Sequence, residues 1–403
     1  MTINKTRKPL EFTVMLLVAA ILLGSGISVL AAPASTWDHI VDAIAFEGCT
    51  IGLRSDGKIV FAGEDQYNMG WQQAELWTDI ERFEIIGGWI IGYKKDGSID
   101  TTGDFDVSSW TDVVSVAADY WQNNFMAGLR SDGTVSIAFN ENEEISRKYL
   151  EVTNWRNIKQ LVYDMIWTGS TLECALIGLR NDGTVEATCD LCWGYDWKTV
   201  IKDIPVNELV HTYGIVAGIK EDGTVFGIEH GFYDEDDCFC DIESVTAYYD
   251  GYVKAFGLRK DGTVAIYDIH LEPENTTTQE IRSWRNIKKL VYSVNGFPVG
   301  LRNDGTVAVV QTYWGNPVGE WNVSSWTGVQ DLFCAEDCLI GLKADGTLLV
   351  TGGQFGTRDY LNELKNWTDI STIRIAEDHI VGLKTDGTLV AAGDNSCGQC
   401  NVM

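Results

Sequence analysis

From residue 37 to the end of the chain, short apolar runs alternate with polar turns. Ile51-Gly52-Leu53 is followed by Arg54, an Asp-Gly pair and a second apolar run, and the same order returns at Val381-Gly382-Leu383. Asp-Gly between two such runs is a strong hairpin signal, because glycine accepts the positive φ of the turn. The pairs are Asp56-Gly57, Asp96-Gly97, Asp132-Gly133, Asp182-Gly183, Asp222-Gly223, Asp261-Gly262, Asp304-Gly305, Asp345-Gly346 and Asp386-Gly387, spaced by 40, 36, 50, 40, 39, 43, 41 and 41 residues. A fixed period of that length marks a repeat architecture.

A second landmark gives the same count. An aromatic precedes each hairpin and is followed three residues later by Ile or Val: Trp37, Trp77, Trp110, Trp155, Trp197, Phe239, Trp284, Trp326 and Trp367. The segment after the aromatic supplies a strand, the hairpin two more, and the stretch before the next aromatic a short fourth. Four short strands in about forty residues is the pattern of a propeller blade. The expected fold is therefore all-β: a single β-propeller of about nine four-stranded repeats, preceded by a helical signal segment. Eight blades with a split unit, or an open arc, are the alternatives. The recurring tryptophan is expected to fill the space between blades.

The last unit runs Glu377-Asp378-His379-Ile380-Val381-Gly382-Leu383-Lys384-Thr385-Asp386-Gly387-Thr388, then Gly393-Asp394-Asn395 and Gly398-Gln399-Cys400. In these residues the chain resembles regulator-of-chromosome-condensation repeats, in the short form of bacterial extracytoplasmic proteins. The resemblance covers residues 37 to 403. It implies a propeller fold and an interaction role, since secreted members include a propeller-type inhibitor of β-lactamase. The chain departs from the pattern in having nine units where the family usually has seven, and the tail motif is complete in the last unit alone. The position of His379 holds Cys49, Trp89, Phe125, Ala175, Ile215, Lys254, Phe297 and Cys338 in the other units.

The N-terminus reads as a targeting segment. Lys5, Arg7 and Lys8 precede an uncharged run from Phe12 to Ala32, with small-residue cleavage sites at Val29-Leu30-Ala31 and Ala32-Pro33-Ala34. The expected division is a signal peptide or signal anchor over 1–34 and a propeller over 35–403, outside the cytoplasm or at the cell surface. Formal net charge is −28, and the leader's own charges make the remainder about −30. That surface repels nucleic acid and anionic membranes, and steers a cationic partner inward. Membrane attachment is expected only through an uncleaved leader, and the chain is expected to be a monomer. Ten cysteines outside the cytoplasm suggest disulfides. Cys174 with Cys189, and Cys397 with Cys400, are candidate pairs. Cys189/Cys192 and Cys334/Cys338 also have zinc-compatible spacing, and Cys49, Cys338 and His379 share one repeat position.

Catalytic signals are thin. The five histidines sit in no metalloprotease motif, and no nucleophile elbow or phosphate loop occurs. No cofactor, metal site or catalytic residue is expected. Seven tryptophans fall outside the repeat position, several beside tyrosine in segments that differ between units. Tyr120 and Trp121, Trp193 and Tyr195, and Tyr313 and Trp314 are the candidate binding residues, because rim aromatics give large contact area at low entropy cost. The expected function is an exported, non-enzymatic scaffold that recognises an extracellular protein through rim loops. Carbohydrate or cell-wall glycan binding is the alternative, and a polysaccharide-acting enzyme ranks third.

Overall fold

In the computed structural model each Asp-Gly pair closes the hairpin between the second and third strands of a three-stranded antiparallel sheet. The structure describes residues 37–66, 68–118, 125–139, 149–167, 172–188, 205–212, 215–227, 240–249, 253–268, 276–292, 297–310, 312–313, 316–317, 321–335, 338–352 and 360–402. Among these are nine such sheets in chain order, from Ile40–Phe46, Cys49–Arg54 and Ile59–Gly63 to Ile370–Ile375, His379–Lys384 and Leu389–Gly393. A two-stranded hairpin, Thr312–Tyr313 with Asn316–Pro317, lies between the seventh and eighth.

The turn has one geometry throughout. At the third sheet the Gly133 amide donates to Arg130 O at 2.9 Å, the Arg130 amide to Thr134 O at 2.9 Å, and Gly133 has φ 78°. This is the three-residue hairpin loop, a type I turn followed by a glycine bulge. Asp132 Oδ1 accepts from the Thr134 amide at 2.9 Å and from its hydroxyl at 2.6 Å. The Asp-Gly-Thr triplet thus fixes its own loop.

The same glycine joins each sheet to the next. Its carbonyl accepts from the amide that starts the following first strand: Gly57 from Ile80 at 3.0 Å, Gly97 from Val113 at 2.9 Å, and so on through all nine. The ninth is Gly387, whose donor is Ile40 of the first sheet, at 2.8 Å. One residue before each of these strands the backbone is left-handed, at His39, Asp79, Asp112, Asn157, Asp241, Asn286, Gly328 and Asp369. Asp, Asn and Gly tolerate that region best, which explains the Trp-x-Asp/Asn-Ile phrase. The fifth sheet is the exception. Its first strand begins at Val206 after Pro205, so Trp197 stands nine residues upstream and is not its landmark.

The tryptophans fill the gaps between sheets as expected. Trp110 packs with Trp89, Ile91 and Tyr93 of the second sheet, and Trp37 with Val381, Leu383 and Leu389 of the ninth. Each also packs its ring against the glycine of its own second strand, Trp37 on Gly52 and Trp110 on Gly128. The expected fourth strand is where the structure differs. Before Trp77, Trp155, Trp284 and Trp367 the chain forms short helical turns, Trp71–Leu76, Glu151–Asn154, Thr276–Arg282 and Tyr360–Leu364, whereas the described residues before Trp110 and Trp326 form turns and irregular chain. They pack against outer third strands, where Trp71, Val152, Ile281 and Leu364 are buried. An outer edge must be covered, and an apolar helical turn covers it without a further ladder.

Candidate binding surface

The first strand of every sheet carries a bulge at its second residue: the register shifts across Val41, Glu81, Val114, Lys159, Asn207, Glu243, Lys288, Gln330 and Ser371. A bulge turns its residue out of the ladder, and all nine are exposed while the Ile or Val before each is buried. The framework is constant and the presented side chain varies among aliphatic, amide, hydroxyl and both charges. This row was not among the sequence candidates. Its only signal was a variable residue directly after each Trp-x-x-Ile.

First strands of consecutive sheets touch around most of the series, and polar side chains staple several of them. Arg374 reaches Asp42 at 2.8 Å and Ala43 O at 2.9 Å. Lys289 meets Asp331 at 2.6 Å. The Gln160 amide mimics a backbone pair, donating to Leu209 O at 2.6 Å and accepting from its amide at 2.8 Å. Arg82 donates to Val114 O and lies over the Tyr93 ring. Such half-exposed pairs contribute about 0–1 kcal/mol each; they hold register more than stability.

The two ends of the sheets differ in charge. At the Asp-Gly end, every turn aspartate is matched by the Arg or Lys that ends the second strand, as in Arg54, Arg130 and Lys343. Arg54 binds Asp38 at 2.7 Å and Asp56 at 3.2 Å. At the opposite end stand Glu47, Glu377 and Asp378 among the described residues; in chain order the nine first-to-second connections also include Asp119, Asp250, Glu336 and Asp337, which lie outside the described residues, and neither Lys nor Arg.

Of the sequence candidates, Tyr120, Trp121, Trp193, Tyr195 and Trp314 lie outside the described residues, as does the Tyr313 side chain; the Tyr313 backbone pairs with Asn316. In chain order Tyr120 and Trp121 fall in a first-to-second connection, and the other two pairs in connections between sheets. Cys397 and Cys400 are not bridged to each other as the sequence suggested. They turn to different partners: Gln66 Nε2 donates to Cys397 Sγ at 3.2 Å, and Cys400 Sγ donates to Asp394 O at 3.3 Å. Burial pushes the Cys400 thiol up to about 11. The side chain of Cys174 and the whole of Cys189 lie outside the described residues. The two ring nitrogens of His379 are engaged by Asp378 and Thr50, and among the described residues no group of three or more His, Cys, Asp or Glu side chains is placed to hold a metal ion. No helix among the described residues is long and apolar enough to cross a membrane.

The family profile described as the regulator of chromosome condensation (RCC1) repeat matches residues 377–399. No sequence among the curated proteins matches the chain. Among solved structures it is similar to the computationally designed Ika8 protein, at 15% identity over 89% of this chain and 97% of that one, with a TM-score of 0.39. It is also similar to Prp20p of Saccharomyces cerevisiae, at 12% identity over 90% and 73% with a TM-score of 0.32. The CRINKLY WD40 ectodomain of the Arabidopsis thaliana receptor kinase ACR4 shares 11% identity over 76% and 92%, with a TM-score of 0.32. The matched repeat, the nine like sheets and the turn glycine that joins each to its neighbour lead to one description: the chain is an RCC1-like repeat β-propeller.

Proposed function

We propose that this chain is an exported, non-catalytic binding scaffold: a closed nine-unit ring whose acidic end recognises a cationic protein. The hydrogen bond from Ile40 to Gly387, equivalent to the other eight joints, supports closure with nine units. The observation that carries the partner's chemistry is the contrast between the two ends. One balances its carboxylates turn by turn; the other carries acids without Lys or Arg in its first-to-second connections. A one-sign face on a chain of net charge −28 steers an oppositely charged protein and raises its association rate. The aromatic pair Tyr120 and Trp121 belongs to one of these connections and would supply the apolar anchor that charge alone lacks. The leader supports export. Prp20 was crystallised with Kap60, and its binding to Gsp1p and histones has been described; those partners are its own.

Immobilised residues 35–403, exposed to the extracellular and surface proteins of the native source, should retain a protein with a basic contact surface. Its association rate should fall several-fold in Glu47→Lys/Glu377→Lys, while Glu221→Lys, in the turn at the other end, should change it little. Retention of glycan without protein would favour the carbohydrate reading. A captured protein indifferent to both variants would remove the acidic end from the argument.

A further inference from the structure

Chain connections span eight of the nine joints; the joint between the ninth and first sheets has none. Its apolar packing is ordinary: Trp37, Ile40 and Ala43 meet Val381, Leu383 and Leu389, with Val402 of the tail beside them. Its polar content is not. His379, buried at the start of the ninth sheet's second strand, has Nδ1 2.7 Å from Asp378 Oδ1 and Nε2 2.9 Å from Thr50 Oγ1 of the first sheet. The Thr50 hydroxyl donates to Gln399 O at 2.8 Å. Asp378 Oδ2 accepts from the Gly48 amide at 2.9 Å and from Gln399 Nε2 at 2.8 Å. His379, Thr50 and Gln399 are each 0% exposed. The group ties together the first sheet, the ninth sheet and the C-terminal tail. Among the described units, the residues equivalent to His379 include Cys49, Trp89, Phe125, Ala175, Phe297 and Cys338, none of which offers two nitrogens to such a set.

We infer that this network is a closure key: it makes the ninth unit shut on the first unit of its own chain, in register, and its loss lets that joint form between copies. The inference rests on the closed-ring reading above. Nine similar sheets with interchangeable Leu, Ile and Val faces leave an apolar joint little means of telling one first sheet from another packing site, and exchange of identical elements between protomers is a low-cost route to oligomers. A buried polar set discriminates, because any partner other than its own complement leaves buried donors and acceptors unsatisfied. Buried polar groups that fix register are the best-attested use of such sets.

The test is His379→Phe with Thr50→Val. Phe occupies the equivalent position in the third and seventh sheets, so the joint stays filled. Refolded from denaturant over a range of concentrations and weighed by light scattering, the unaltered chain should return as monomer. The double variant should shift to dimers and higher species as concentration rises. A circular permutant, with residue 402 linked to 37 and new ends opened between 310 and 321, makes this joint covalent; there the double variant should return to monomer. Monomer at every concentration in the natural order would overturn the key, and so would oligomers that persist in the permutant. A double variant that does not fold in the natural order but folds in the permutant supports the key, and one that folds in neither overturns it by giving the network a role in folding alone. The closed-ring reading fails separately, if the Ile40 amide of the unaltered chain exchanges freely with solvent.

Discussion

Gly128 faces the Trp110 ring so closely that a Cβ there would stand 2.5 Å from Cζ3. The same contact recurs between Trp37 and Gly52, and between Trp367 and Gly382. The glycine in Gly-Leu-Arg is therefore the seat of the tryptophan that opens its own unit. Both residues were visible as landmarks in the sequence, but their contact crosses from one strand to the next, which spacing alone does not reveal. Gly128→Ala should lower stability by about 1–3 kcal/mol, the usual effect of overpacking; an unchanged denaturant midpoint would mean the ring is not held there. The turn aspartates make a second prediction. Hydrogen bonds from the Thr347 hydroxyl and amide, with Lys343 alongside, hold the Asp345 carboxyl down to about 2, and Asp132, Asp182, Asp304 and Asp386 are lowered by the same kind of loop. A carboxyl lowered in the folded state contributes stability that is complete above its unfolded value of about 3.9 and lost as pH falls through the folded one. The melting temperature should drop between about pH 4 and 2, and Asp345→Asn should flatten that drop. Equal slopes in the two proteins would exclude the loop as a source.

At the scale of elements, the hairpin was legible in the sequence because Asp-Gly-Thr is a local code, and the first strand because Trp-x-x-Ile repeats. The fourth strand was not. The stretch before each tryptophan has no repeated phrase, and in four units the structure uses it for a helical turn against the outer edge. Leu364, fully buried in Tyr360–Leu364, packs in one cluster with Cys338, Ile340 and Trp367. Leu364→Ala should cost about 2–5 kcal/mol by leaving a cavity there, read as a shifted midpoint in urea. A loss below half a kilocalorie, on the order of a surface change, would mean that the turn is not part of the core. The fifth unit shows the limit of landmark reading. Trp197 fits the phrase, yet the strand starts after Pro205, whose fixed negative φ excludes the left-handed step taken before the other eight first strands. The bulge row escaped for another reason: variable residues carry no periodic signal, although a constant backbone feature presents every one of them.

Over the whole molecule, the repeat makes the nine sheets alike, and what distinguishes one end from the other is charge. The sequence showed total acidity but not its distribution, since that depends on which connections share an end. The pattern of turn carbonyl to next-strand amide supplies that answer, and it also joins residue 40 to residue 387. The closed ring and the key at its joint depend on that last bond: an open arc would have no closing joint to key. Native-state hydrogen exchange measures it directly. A closed ring predicts that the Ile40 amide is protected to the same order as its equivalents at Ile80, Val113 and Ile370. Exchange of Ile40 at the rate of an unstructured amide, with those three still protected, would contradict it.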